Sequence, residues 1–334
     1  MRAAWFDHKG DARQVLTVGD LPDPEPTDGE VRVRLTTSGV NPGDAKKRQD
    51  WLGTPMAFPR IIPHSDGAGV VDLLGPGVPS AWQGRRVWVW GAQSYRAFGT
   101  AAEYVVVPVI GNRPLAVSLP DAVSDHAGAA LGIAARTAHR SVFADGPVAG
   151  LRMLVTGGAG TVGNAAIALA TWGGAQVVAT TSSAAQADMA LEAGAVATVD
   201  RHGDDLVDRL LAANDGRPFD RIIDVAFGGN ITTHEQVIAT GGVIAAYASD
   251  ADPMPRIPFW ELLFRNVVIR LIGSDDFPDD AERQAQHDIT ACLTGTGWRP
   301  TIARTFPLAQ IADAHELVER GGVSGHVLLD IAPR

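Results

Sequence analysis

The chain has 334 residues, 46% hydrophobic and 20% charged, which gives enough apolar material for packed cores and excludes an intrinsically disordered protein. A net charge of −10 argues against duplex nucleic acid or an anionic membrane as the main partner. The single cysteine, Cys292, excludes an internal disulfide framework and any zinc site built on several thiolates.

The length alone sets an expectation of roughly two domains. The opening MRAAWFDHKG lacks the apolar region and cleavage site of a secretion signal. The apolar runs fall short of the roughly 18 residues of a membrane helix, so a soluble, cytoplasmic protein is expected. Residues 1 to 120 read as β-rich: Val31–Thr36 alternates apolar and polar residues, the mark of a half-buried strand. Gly69–Leu74, Arg86–Trp90 and Ala102–Val107 are further short strands between Pro- and Gly-rich turns, as in a small barrel or sandwich.

From Ser124, a candidate N-cap, to Phe143 the spacing becomes helical. Strand and helix then alternate: strand Met153–Val155, helix Thr161–Trp172, strand Gln176–Thr180, helix Ala184–Ala193, strand Ala197–Val199 and helix Leu206–Ala213. Strands Arg221–Val225, Val243–Ala246 and Val267–Ile272 follow. This alternation predicts βαβ units around a parallel sheet. Helices near Ala281–Leu293 and Ile311–Arg320 precede a last strand, Val327–Ile331, which can return to the first domain.

The sharpest local signal is Gly157-Gly158-Ala159-Gly160-Thr161-Val162-Gly163. It contains GxGxxG, directly follows an apolar strand and opens an amphipathic helix, the context that a dinucleotide-binding loop requires. Glycines allow the backbone to approach a pyrophosphate, and the helix N-terminus offers unpaired N–H groups. About twenty residues on, where an NAD site usually carries Asp or Glu, stand Thr180, Thr181, Ser182 and Ser183. Hydroxyls tolerate a 2′-phosphate and Arg201 could neutralise it, so NADPH is preferred over NADH. Ser182 and Ser183 could instead cap the next helix, and Arg201 could be an ordinary surface charge.

With these residues in view, the chain resembles the zinc-independent branch of the medium-chain dehydrogenase/reductase superfamily, closest to quinone oxidoreductases of the zeta-crystallin type. The supporting motifs are Gly39–Asp44 (GVNPGD), Pro63–Val71 (PHSDGAGVV), Ala102-Glu103-Tyr104, Ala135-Arg136-Thr137-Ala138, the glycine loop and Glu192-Ala193-Gly194-Ala195. The resemblance covers essentially the whole chain. It implies an α/β architecture: a GroES-like β-barrel domain, residues 1–122 and 292–334, and a Rossmann domain with a doubly wound parallel sheet, residues 123–291.

Zinc-dependent relatives carry Cys at the position of Asn41 and His at that of Ser65, so the resemblance implies no metal. It implies direct hydride transfer from a nicotinamide to a quinone or activated enone, with Asn41 lining the pocket, where its amide can either donate to the substrate oxygen or cap the following helical turn. A 2-enoyl thioester or polyketide enoyl reductase, or a catalytically silent NADPH-binding protein, are the alternatives. Lys46 stands where several relatives have Tyr; its ammonium could stabilise an oxyanion, or Lys46-Lys47-Arg48 could be a solvated basic patch. Trp51 and Phe58 are either a substrate-facing aromatic wall or barrel core, and His64 is a packed or surface histidine. Asp44 braces the turn after Asn41.

On the cofactor side the resemblance places Thr137 and the Tyr247–Ser249 segment near the nicotinamide, with Gly241-Gly242 at a strand's carboxyl end. Gln186 stands where relatives often have a lysine that reaches the 2′-phosphate, and His326 where a lysine commonly follows the glycine matching Gly325. Relatives are commonly homodimers joined through the strand here placed at Val267–Ile272.

Overall fold

The structure, a computed structural model, describes residues 1–331, the side chain of Leu52 excepted. Contacts divide the chain into two compact units. One comprises Met1–Ile133, Pro278–Thr290 and the described residues from Arg299 on; the other comprises Ala134–Phe277 and Ala291–Trp298.

The first unit is built on an eleven-residue strand, Glu30–Val40. Val31, Val33 and Leu35 are buried while Arg32 and Arg34 point the other way, the period-two pattern visible in the sequence. One edge of this strand pairs antiparallel with Asp66–Leu74. The other edge is shared by Tyr104–Pro108 along its first half and His326–Asp330 along its second. Register shifts between Arg32 and Val33 and between Leu35 and Thr37 bend the strand, as bulges do. Arg86–Val89, Ala116–Ser118 and Ile302–Pro307 complete a seven-stranded sheet. The terminal strand therefore does return to the first domain.

The second unit holds six parallel strands in the order Ala197–Asp200, Gln176–Thr181, Arg152–Val155, Phe219–Asp224, Ile238–Ala246, Val268–Leu271. Numbered by sequence this is 3-2-1-4-5-6, the doubly wound dinucleotide-binding order, whose switch point lies between Arg152–Val155 and Phe219–Asp224. Leu154, Val178, Ile222 and Ile244 stack from adjacent strands into one core.

Three features depart from the sequence expectations. The stretch Ser124–Phe143 is two helices, Asp125–Ala129 and Gly132–Phe143. Ser124 does cap the first, accepting from Ala127 N–H at 3.2 Å. The second begins at Gly132, where a Cβ would lie 1.9 Å from Asp66 Oδ1. Next, a helix at Phe227–Val237 has no clear sequence signal, because its Gly228-Gly229 pair and β-branched Thr232 and Thr233 have low helix propensity. It forms because Phe227, Ile231, His234 and Val237 bury one face. Finally, Gly241 and Gly242 lie before Val243, towards the amino end of strand Ile238–Ala246, not at its carboxyl end. They occupy the register shift by which Phe219 pairs with Ile238 but Arg221 pairs with Val243.

Candidate active site

In the second unit the glycine loop joins Arg152–Val155 to helix Thr161–Trp172. Gly157 has a φ of 65°, which favours glycine. A Cβ on Gly163 would stand 2.3 Å from the Gly157 carbonyl oxygen, and one on Gly158 would stand 2.8 Å from Ala179 Cβ. These two glycines pack the helix onto the loop and sheet. Gly160 differs: a Cβ there would meet the Gly157 oxygen at 3.2 Å and nothing else within 4 Å. It is also the N-cap of the helix and has no side chain to satisfy the first N–H groups. Close packing behind and open space in front form a cradle that fits the pyrophosphate of a dinucleotide. Ala159 is buried, whereas Thr161 and Val162 are half-buried on the first turn.

Thr180 shapes the loop: its hydroxyl accepts from Gly157 N–H at 3.1 Å and its carbonyl from Gly158 N–H at 2.9 Å. Ser183 caps helix Ala184–Glu192, accepting from Gln186 N–H at 3.3 Å. Ser182 donates through both its N–H and its hydroxyl to Gln186 Oε1, at 2.9 and 2.7 Å. Gln186 thus braces this turn. Arg201 is exposed, its N–H bonded to the Thr181 carbonyl, and its guanidinium makes no ion pair among the described residues. One neighbour escaped the sequence reading: Asp200 sits in register with Thr181 on the adjoining strand. Hydrogen bonds from the His202 backbone and ring hold its carboxyl below the ordinary value.

At the switch point lies a buried polar cluster that no sequence motif announced. Asp224 Oδ1 accepts from Thr156 Oγ1 at 2.7 Å and from Asn230 Nδ2 at 2.8 Å. Its Oδ2 lies 3.1 Å from His234 Nε2. Burial pushes this carboxyl up, but His234, Thr156 and Asn230 together hold it below its ordinary value. The N–H of Tyr247 donates to the Asp224 carbonyl, and burial with the nearby carboxylate pushes the phenol up. Thr137 is buried within helix Gly132–Phe143, its carbonyl accepting from Ser141 Oγ.

In the first unit, Asn41 ends the long strand's path and caps helix Pro42–Arg48. Its N–H donates to Asp44 Oδ2 at 2.8 Å, so Asp44 braces the turn as expected. Its side-chain amide donates to Asp66 Oδ2 at 2.8 Å. The same Asp66 oxygen accepts from Ile133 N–H at 2.8 Å. A carboxylate buried to 1% exposure thus orients the Asn41 side chain. An amide nitrogen carries two N–H groups, and Asp66 takes one.

Lys46 is half-buried, its ammonium 5.1 Å from the centre of the exposed Trp51 ring. Trp51 is therefore not core, while Phe58 packs partly against Phe6, Val15 and Ile61. The basic run is not one solvated patch: Arg48 is fully buried, donating to the Gly10 carbonyl and pairing with Glu319. Burial drops His326 to about 4, so its ring is neutral near neutral pH. His64 is fully buried with a φ of 77°, a conformation that costs a non-glycine residue about 1–3 kcal/mol.

The donor set does not suit zinc. The Asn41 amide is committed as a donor to Asp66, and Ser65 offers a neutral hydroxyl. Cys292 belongs to the other unit, where burial pushes its thiol up. Among the described residues no cluster of three His, Cys, Asp or Glu side chains could hold a metal, and no helix is long and apolar enough to cross a membrane.

Comparison with known proteins places this geometry. Residues 27–120 match the alcohol dehydrogenase GroES-like domain family, and residues 161–286 match the zinc-binding dehydrogenase family. A quinone oxidoreductase of Rattus norvegicus is 26% identical over 337 residues, covering 98% of this chain and 97% of that protein. The chain belongs to the medium-chain dehydrogenase/reductase superfamily. A solved NAD-dependent alcohol dehydrogenase superposes with a TM-score of 0.86 at 27% identity, covering 99% of this chain and all of the other. A phenolphthiocerol/phthiocerol polyketide synthase protein of Mycobacterium tuberculosis is 29% identical over 230 residues, 68% of this chain but 10% of that protein. As a member of the superfamily the chain is an oxidoreductase with a GroES-like domain and a Rossmann domain, using a nicotinamide cofactor on a small-molecule substrate. Asn41 and Ser65 lie outside the matched zinc-binding dehydrogenase segment.

Proposed function

We propose that the chain is an NADPH-dependent reductase of quinones or activated enones that works by hydride transfer without zinc. The observation that carries this is the Asn41 amide, oriented by the buried Asp66 carboxylate at a position where the resemblance implies a zinc ligand in zinc-dependent relatives. Bound NADPH would supply the hydride. Asn41 donates its second N–H to the substrate oxygen as negative charge develops there, a stabilisation that is largest when the donor is held in place beforehand. The Lys46 ammonium, held over Trp51, adds positive charge for the same oxyanion. Gly157–Gly163 hold the pyrophosphate, while Thr137 and Tyr247 serve the nicotinamide side. The test is NADPH oxidation with 1,4-benzoquinone and, separately, with crotonyl-CoA. Turnover of the thioester alone would support the polyketide enoyl reductase reading, which the similarity to the mycobacterial synthase favours. Binding of NADPH with turnover of neither would overturn both.

NADPH is favoured because Thr180–Ser183 carry no carboxylate and the exposed Arg201 guanidinium is available to a 2′-phosphate. Asp200 opposes this preference, although its carboxylate is engaged by His202. Arg201→Ala should weaken NADPH binding about tenfold while leaving NADH within about twofold, as read by titration calorimetry. Equal losses for both cofactors would remove Arg201 from the phosphate site.

We also propose a homodimer. Strand Val268–Leu271 is an unpaired edge of the parallel sheet, with Leu271 75% exposed. Helix Phe259–Phe264 just before it exposes Trp260 and Phe264, the latter at 76%. Phe264→Asp combined with Leu271→Asp should convert the dimer to monomer in light scattering at micromolar concentration. A wild-type chain that is already monomeric there would overturn the proposal.

A further inference from the structure

The segment His64–Asp66 carries more side-chain chemistry than the function above uses. His64 and His315 are fully buried and meet edge to edge, with ring centres 5.1 Å apart, planes inclined by 21° and Nε2 atoms 2.9 Å apart. Beyond His315, Arg48 Nε lies 3.4 Å from its Nδ1, the longest link of the series. On the other side, His64 Nδ1 is 2.9 Å from Ser38 Oγ, which is 2.8 Å from Thr100 Oγ1. Thr100 Oγ1 donates to the Asp66 carbonyl at 2.6 Å.

A guanidinium has no lone pair with which to accept, and this fixes every proton along the series. Arg48 donates to His315 Nδ1, so His315 carries its proton on Nε2 and donates to His64 Nε2. His64 therefore carries its proton on Nδ1 and donates to Ser38, which donates to Thr100. Both rings are neutral; burial brings His64 down to about 3 and His315 well below its ordinary value. The series ends on a backbone carbonyl, which has no proton to pass on, so it does not relay protons. It fixes the place of Asp66, whose carboxylate holds Asn41. The positive φ of His64 would suit glycine without strain, so the bonds to the ring sustain a backbone conformation that a histidine disfavours.

We propose that the hydrogen-bonded series Arg48–His315–His64–Ser38–Thr100 positions Asp66 and, through it, the Asn41 amide, making His64 and His315 positioning residues for the reduction. The proposal rests on the reading of Asn41 as donor to the substrate oxygen. Long-range proton–nitrogen correlation spectra of the full-length ¹⁵N-labelled protein should show His64 protonated on Nδ1 and His315 on Nε2. Neither ring should titrate between about pH 5.5 and 8. The opposite tautomers, or titration of either ring in that range, would overturn it.

His315→Phe should shift the Asn41 side-chain amide resonances and lower kcat with 1,4-benzoquinone about tenfold, leaving KM for NADPH within about twofold. His315→Gln, whose amide can both accept from Arg48 and donate to His64, should recover part of that loss. Should His315→Phe fail to fold, His64→Gly breaks the same series while relieving the backbone, and should move the same resonances. Unmoved Asn41 resonances in either folded variant would overturn the positioning role. If the wild-type protein reduces neither benzoquinone nor crotonyl-CoA, the reductase reading fails while the two spectroscopic readouts still decide the positioning.

Discussion

Gly160→Val is expected to yield a folded protein whose affinity for NADPH has fallen by at least about a hundredfold, a loss of roughly 3 kcal/mol. The backbone at Gly160, with φ −71° and ψ 162°, is open to any residue, so the substitution introduces no torsional strain. The new Cβ meets one protein atom, the Gly157 oxygen at 3.2 Å, and its methyls extend into the open space before the helix N-terminus. That space is where a pyrophosphate would lie to receive the unpaired N–H groups. Gly163→Ala is the contrasting variant. Its Cβ would overlap the Gly157 carbonyl at 2.3 Å, a backbone clash that no rotamer relieves, so stability should fall by about 1–3 kcal/mol along with binding. Calorimetric titration with NADPH and thermal unfolding of both variants separate the two roles. Wild-type affinity in Gly160→Val would refute the assignment of the loop.

The contrast shows what sequence could and could not specify. The loop was legible because its chemistry is local: strand, glycines and helix follow one another, and helix Thr161–Trp172 starts and ends where its pattern says. Helices Leu206–Ala213 and Ile311–Arg320 were equally legible, their apolar residues recurring at helical spacing. What remained hidden depends on distant partners. The second helix starts at Gly132 against Asp66, which leaves no room for a Cβ there and accepts from Ile133 N–H, and helix Phe227–Val237 forms on the buried face it presents. The basic run Lys46-Lys47-Arg48 read as surface because three adjacent charges usually are; the Glu319 and Gly10 contacts that bury Arg48 come from remote parts of the chain. His64 likewise became intelligible only once His315, 251 residues away, stood beside it. Asp224 gave no signal because an isolated aspartate after an apolar strand is common, and its partners Thr156, Asn230 and His234 follow no local spacing rule.

Asn41 lies between these extremes, named by its motif but oriented by Asp66, and on the proposed function its removal should have the largest effect on turnover. Asn41→Ala is expected to lower kcat with 1,4-benzoquinone about 10²–10³-fold, the usual effect of deleting one preorganised donor to a developing oxyanion. KM for NADPH should stay within about twofold, because the glycine loop belongs to the other unit. The substitution also removes a donor from the buried Asp66 carboxylate, so about 1–3 kcal/mol of stability should go with it. Asn41→Asp separates the two effects. It keeps the side-chain volume but sets a second carboxyl against Asp66, and one of the pair must then hold a proton. That proton can restore the bond to Asp66, but it leaves no second N–H for the substrate oxygen. Stability near neutral pH should therefore recover more than turnover does. Full turnover in either variant would take Asn41 out of the chemistry and leave it as the cap of its helix.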